Sequence, residues 1–317
     1  MPQGCSVNRF IVLLLSAALV LGAIAATAAA PQLANGSFSA ELNGFTIHYE
    51  VHGHGPVLMT LPNSWGLTWQ GLRAIYRPLE AYLTMVYFDP RGMGLSGPVK
   101  QDSDMGMAAV RDDFEALRGH LKLGKVNVIG WSNGAINLIL LASGRPDTLA
   151  SAIFLHGEPR YTEEDDKEFQ ADHPDLVKLY TDFFREMGSK PMSPEQADAR
   201  VKSFDVDEFF VYLWADKSVG RARLKDLYVD TGFSWRHTQY QAKELGMYDF
   251  RDRLPKITAR TLVIAGAHDL IPVERAREIS QGIAGSQFVV FERSGHFVPL
   301  EEPEAFIATI QRFLGQR

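Results

Sequence analysis

Three residues of this chain have the types and the chain order for nucleophilic acyl chemistry: Ser132, Asp269 and His296. Ser132 stands in Gly130-Trp131-Ser132-Asn133-Gly134, a G-x-S-x-G pattern. Five loosely specified residues recur by chance at ordinary strand–helix turns, so the flanks decide. Val126-Asn127-Val128-Ile129 is an apolar, β-branched run, and a helical pattern begins at Ala135. In that setting the small residues two before and two after the serine let strand and helix approach around a strained turn. The serine Oγ then stands exposed above the sheet. A hydroxyl is a poor nucleophile until a base takes its proton. An imidazole does this near neutral pH and then protonates the leaving group. A carboxylate fixes the imidazole tautomer and stabilises the imidazolium. The amide of Asn133 begins a helix, where negative charge is favoured.

These three positions need a scaffold that brings them together. Residues 38–42 and 45–51 alternate apolar and polar around Asn43-Gly44, the signal of a two-residue hairpin and an antiparallel edge. Short apolar runs at 57–61, 85–88, 149–155, 260–265 and 287–291 read as buried strands, with helical patterns at 69–83, 107–121 and 273–282. A closing helix starts at Pro303, where proline suits the first turn. Strands alternating with helices imply a parallel sheet with right-handed crossovers. Ser132, Asp269 and His296 each follow a strand, and open α/β sheets bind ligands at the C-terminal ends of their strands.

The alternation stops at Glu158-Pro159. Residues 160–245 carry helical patterns only, broken at Pro174, Pro191, Pro194 and Gly232, with dense aromatics. This predicts a helical cap over one end of the sheet, inserted into a core of residues 29–159 and 246–317. Thr162 followed by four acids fits a helix start, and those acids are expected to be solvated, as are the acids at 205–208.

The 317 residues are 46% hydrophobic and 22% charged, enough for a large core. A net charge of −6 and the lack of a basic cluster argue against a nucleic-acid partner. Arg9, an apolar run from Phe10 and small residues to Ala30 read as a secretory signal peptide over residues 1–28, cleaved after Ala28 in Ala26-Thr27-Ala28. Export to the periplasm or medium is therefore expected, with no membrane attachment afterwards. Cys5, the one cysteine, precedes the apolar run, so the mature chain has no thiol and no disulfide. His48 and His52 alternate on one face of the second strand and are read as structural. No metal and no cofactor is expected. Asp89 and Arg91 are expected to pair beneath the site.

Ser, acid, His is also the order of the α/β-hydrolase superfamily, which the chain resembles from Phe38 to Leu314. Asp89-Pro90-Arg91-Gly92-Met93-Gly94-Leu95-Ser96 looks like the family's Asp-x-Arg-Gly-x-Gly-x-Ser loop. Gly266-x-x-Asp269 looks like its acid loop, and Ser294-Gly295-His296 with Pro299, Glu301 and Pro303 like its histidine loop. The closest flavour is the proline iminopeptidase-like branch. The resemblance implies an α/β-hydrolase fold: a mostly parallel sheet of about eight strands flanked by helices, with a helical cap inserted after the sixth strand. It also implies a Ser132–His296–Asp269 triad and an oxyanion hole from the amides of Ser64 and Asn133. The segment Pro62-Asn63-Ser64-Trp65-Gly66 departs from the family's usual His-Gly-Gly-Pro-Gly loop. Some relatives place the acid after the strand preceding the cap, where this chain offers Glu158, as acid or as substrate contact. Trp65, Trp131, Phe209, Trp214 and Phe297 are the expected pocket walls.

The expected activity is hydrolysis of a carboxylic ester or lactone through an acyl-enzyme on Ser132. Two alternatives stay open. One is removal of an N-terminal residue from a short peptide, as in proline iminopeptidases. The other is a non-catalytic binding protein on the same scaffold, which would have no need of all three groups.

Overall fold

Asn43 and Gly44 both adopt positive φ, 53° and 81°, and fold the chain back so that Leu42 pairs with Phe45. That turn starts the sheet of the computed structural model, which describes residues 32–63 and 66–315. The strands are β1 Gly36–Leu42, β2 Phe45–Gly53, β3 Val57–Leu61, β4 Thr84–Phe88, β5 Val126–Trp131, β6 Leu149–Leu155, β7 Arg160–Tyr161, β8 Tyr248–Asp249, β9 Arg260–Gly266 and β10 Gln287–Phe291. Eight of them form one sheet in the order β1-β2-β4-β3-β5-β6-β9-β10. The β1–β2 and β2–β4 pairs are antiparallel and all the others parallel. The helices are α1 Trp69–Tyr76, α2 Met107–His120, α3 Asn133–Gly144, α4 Glu163–Asp172, α5 Pro174–Ser189, α6 Pro194–Ser203, α7 Lys217–Leu227, α8 Trp235–Leu245, α9 Val273–Gly282, α10 Val298–Glu301 and α11 Pro303–Leu314. Among the described residues no helix is long and apolar enough to cross a membrane.

The central strands are apolar on both faces because helices cover both. Leu58, Met85, Ile129, Ile153 and Leu262 face one core layer. Met59, Val86, Val128, Ala152 and Val263, their alternate neighbours, face the other with α2, α3 and α9. The first layer continues into the aromatics of the insertion, so the cap and that face of the sheet share one core.

The insertion between β6 and β9 is closed at its base by the two-residue ribbon β7–β8, which a purely helical reading of residues 160–245 missed. Two-residue strands carry no periodicity to detect. The helix expected at 69–83 is α1 followed by a tighter turn at Arg77–Ala81, because Pro78 lacks an amide for the α-helical ladder. Phe204–Phe209 wind as a wider π-turn, and there Asp205 is buried rather than solvated.

The expected Asp89–Arg91 pair does not form. The Asp89 carboxylate accepts the amides of Trp69 and Leu95 at 2.7 and 2.9 Å and so braces its own loop. Arg91 turns to Asp113 on α2, with Nε donating at 2.8 Å, and Asn43 of the hairpin donates to the same carboxylate at 3.0 Å. The pair ties α2 to the antiparallel edge. His48 and His52 do share a face, with Glu50 between them accepting from both rings at 3.0 Å. Asp113 is fully buried, so removing it strands a guanidinium that is itself almost buried. Asp113→Ala is expected to cost about 3–5 kcal/mol of stability, read by urea denaturation. A loss below about 1 kcal/mol would contradict this role for the pair.

Candidate active site

β5 ends in the strained turn that presents Ser132. Its φ of 56° and ψ of −126° lie where non-glycine residues are uncommon. The turn is held from both sides: Ser132 N donates to the Leu155 carbonyl at 2.9 Å, and the Ser132 carbonyl accepts from Ala135 N at 2.8 Å. The flanking glycines are required by contact. A Cβ on Gly130 would lie 2.4 Å from the Gly134 carbonyl oxygen, and one on Gly134 would lie 2.7 Å from that of Leu61. Strand β3, strand β5 and the start of α3 therefore meet without side chains between them.

His296 sits in the loop after β10 and is fixed through its backbone. Its amide donates to the Leu213 carbonyl at 2.7 Å, and its carbonyl accepts from Trp131 Nε1 at 3.0 Å. Glu301 receives the amides of Gly295 at 2.8 Å, Phe297 at 3.2 Å and Ala215 at 2.8 Å. Leu213 and Ala215 belong to the insertion, so the histidine loop and the cap hold one another in place. Burial pushes the Glu301 carboxyl up, and the three amides oppose it.

Asp269, in the loop after β9, lies with Oδ2 and Oδ1 2.8 and 3.0 Å from His296 Nδ1. A ring nitrogen that close to a carboxylate carries the proton, which leaves Nε2 as an acceptor. Both side chains are almost wholly buried. Burial alone would push Asp269 up. The electrostatic attraction of the His296 and His156 rings, with the His296 hydrogen bond, outweighs it and holds the group below the usual carboxylate range.

Ser132, Asn133, His296 and Glu158 line one cavity of about 780 Å³. Trp131 and Phe209 line it too. Trp214 and Phe297, expected as walls, do not: their rings stack on each other at 5.1 Å and are buried behind the site. Phe297 is turned into the core because the backbone at His296 is pinned to Leu213 and Trp131. Trp214 packs on Gly220, where a Cβ would meet its ring at 2.6 Å. Ser64 and Trp65 lie outside the described residues. Asn63, just before them, is buried and lines the cavity.

The cap supplies walls that the sequence did not single out for the pocket: Phe169, Tyr180 and Leu213. Which face of each cap helix looks inward depends on tertiary packing, so spacing alone gave no signal. Asp165 and Asp166, expected to be solvated, line the cavity, but both are engaged. Asp165 is held by Arg160, Arg275 and Thr162, and Asp166 accepts from the Tyr161 hydroxyl at 2.8 Å and Gln170 at 2.7 Å. Glu158 reaches the cavity from the β6 end. Burial pushes its carboxyl up to about 7, against the Tyr248 hydroxyl and Arg275, while Asp165 and Asp269 add to the rise. The acid bonded to His296 is Asp269.

His156 was not among the expected site residues. It closes β6 with φ of 53°, is fully buried, and places Nδ1 2.7 Å from Asp269 Oδ2. Its ring centroid lies 4.7 Å from that of His296. The available signal was a histidine at the strand end beside the site. His156, Asp269 and His296 offer three donor atoms within 4.8 Å of one another, a spacing that a divalent cation could also use.

Comparison with known proteins agrees with this architecture. A proline iminopeptidase of Saccharolobus solfataricus is 24% identical over 283 residues, covering 84% of this chain and 87% of the relative. An esterase from Exiguobacterium antarcticum superposes with a TM-score of 0.67 at 25% identity, over 89% of this chain and all of the other. The enol-lactonase of Burkholderia xenovorans LB400 shares the fold, with a TM-score of 0.65 at 22% identity over 88% of this chain and all of the other. The alpha/beta hydrolase fold family matches residues 58–303. With its strand order, its strained serine turn and the loops that carry Asp269 and His296, the chain belongs to the α/β-hydrolase family.

Proposed function

We propose that the protein is an exported serine hydrolase that cleaves a carboxylic ester or lactone through an acyl-enzyme on Ser132. One observation carries the reading: a strained serine and an Asp269-bound His296 with a free Nε2 line the same cavity. Ser132 Oγ gives its proton to His296 Nε2 and attacks the acyl carbon. The oxyanion that forms is met by the amide of Asn133 at the start of α3, and the resemblance assigns the second donor to the amide of Ser64, which lies outside the described residues. Collapse of the tetrahedral intermediate expels the alkoxide, which His296 protonates. Water, deprotonated by His296, then releases the acyl group. Export rests on the charge and apolar pattern of residues 1–28, which lie outside the described residues.

The lining supports an uncharged substrate. Phe169, Tyr180, Phe209, Phe210 and Leu213 give the cavity an apolar wall, suited to an alkyl or aryl group. Of the cap acids that line it, Asp165, Asp166 and Glu168 are engaged by arginines, hydroxyls and amides, and Asp172 is exposed to water. Glu158 is only partly ionised at neutral pH, so it is a weak anchor for an ammonium group. A desolvated ammonium without a full partner costs several kcal/mol.

Ser132→Ala is expected to lower turnover of an activated ester by about six orders of magnitude. A variant that keeps a tenth of wild-type activity would sink the mechanism. Asp269→Asn should cost on the order of ten thousand-fold through loss of the imidazole tautomer, and Glu158→Gln far less. The reverse ranking would move the acid to Glu158. For matched substrates differing only in amine blocking, esters and lactones without a charge should be cleaved better than prolyl arylamides with a free amine. Any preference for the free amine should grow as pH rises through about 7, where Glu158 ionises. A hundredfold gain in kcat/KM from the free amine, about 2.7 kcal/mol of transition-state binding, would replace the ester reading with aminopeptidase activity.

A further inference from the structure

Two imidazoles, not one, converge on a single oxygen of Asp269. His296 Nδ1 lies 2.8 Å and His156 Nδ1 2.7 Å from Oδ2. The second contact is built into the backbone. His156 N donates to the Ile264 carbonyl at 3.0 Å, which joins the end of β6 to β9, the strand that carries Asp269. The residue holds a positive φ there, a conformation that disfavours most side chains. Gly157 follows with no room for a side chain, since a Cβ would lie 2.7 Å from that of Ala135. Ring and backbone are therefore placed by three elements at once: β6, β9 and α3.

Elementary chemistry sets the protonation. A bare ring nitrogen 2.7 Å from a carboxylate oxygen would set two lone pairs against each other, so Nδ1 of His156 carries a proton. Burial holds His156 below the usual imidazole range. Asp269 opposes that and His296 adds to it, so the ring is neutral with Nε2 bare. Its N–H does not point at Oδ2, so the 2.7 Å contact acts through the ring dipole rather than as an aligned hydrogen bond.

We propose that His156 is a positioning residue of the hydrolytic site: its Nδ1–H holds and partly neutralises Asp269, so that Asp269 orients His296. The reactive chain then has four members: Ser132, His296, Asp269 and His156. The proposal rests on the Ser132 acyl-enzyme reading for its kinetic consequences, but the state of the ring can be measured apart from it. The ionisable groups that act here are Asp269 and His296 on His156, with the Asp269 charge in turn raising Glu158 at the cap entrance and Glu301 in the histidine loop.

The test uses two variants whose backbones suit a positive φ. His156→Asn keeps an N–H donor near the Nδ1 position, and asparagine tolerates that conformation. His156→Gly removes the donor without backbone strain. The glycine variant is expected to lose kcat by roughly a hundredfold, as expected for a misplaced catalytic group, with little change in KM. Its acid limb in the pH profile of kcat/KM should move up by about one unit, because a carboxylate that no longer shares its charge binds the protonated His296 more tightly. His156→Asn should restore both. A folded glycine variant with wild-type kcat and an unmoved acid limb would overturn the proposal. So would a loss of activity with EDTA that Zn²⁺ restores, since a cation among the three donor atoms would then replace the proton. If the glycine variant fails to fold, ¹⁵N-histidine NMR of the wild-type protein decides. A neutral Nδ1–H tautomer of His156 at pH 7, assigned by its absence in His156→Asn, is expected. An Nε2–H tautomer or a charged ring would contradict it. That spectrum is independent of Ser132, so failure of the acyl-enzyme reading shows in Ser132→Ala alone.

Discussion

A carboxylate buried almost completely from water is the constraint on which the rest of the site depends. Left alone, Asp269 would protonate or force its loop open, because desolvation of an ion costs far more than a typical hydrogen bond returns. It stays ionised because His296 and His156 meet it from two loops. The same interaction fixes which nitrogen of His296 is free for Ser132. Burial of the charge and the tautomer of His296 thus have one cause.

Keeping that arrangement closed requires the cap. The His296 loop has no hydrogen-bonding ladder of its own and borrows one: Leu213 accepts its amide, and Glu301 collects amides from both the loop and the cap. The aromatics behind it, Trp214, Phe210 and Phe297, continue the core of one sheet face into the insertion. A helical cap over an α/β core is often pictured as a detachable lid. Here the residues nearest His296 are shared between lid and loop, and α4 is tied to α9 through Arg275.

Much of this was legible in the sequence, and the limits were physical. The hairpin at Asn43-Gly44, the strand runs and the serine turn were readable because each rests on local sterics: a positive φ, a period of two, a glycine where a Cβ has no room. Asp269 and His296 were readable because a loop of fixed pattern follows each strand. What failed depended on contacts distant in sequence. Arg91 found Asp113 rather than Asp89, because the Asp89 carboxylate was already taken by two backbone amides. Trp214 and Phe297 are aromatic like the true walls, and nothing in spacing says that they stack behind the cavity instead of facing it. His156 hid for a related reason: its partner lies 113 residues away, and only the pairing of β6 with β9 brings them together.

The claim that organises all of this is that Ser132 becomes covalently acylated. Incubation with a fluorophosphonate, followed by peptide mapping in a mass spectrometer, measures it most directly. A single adduct on the peptide containing Ser132, forming as hydrolytic activity disappears, is the expected result. An enzyme that loses activity with the adduct on another residue, or hydrolyses esters with Ser132 unlabelled, would contradict it.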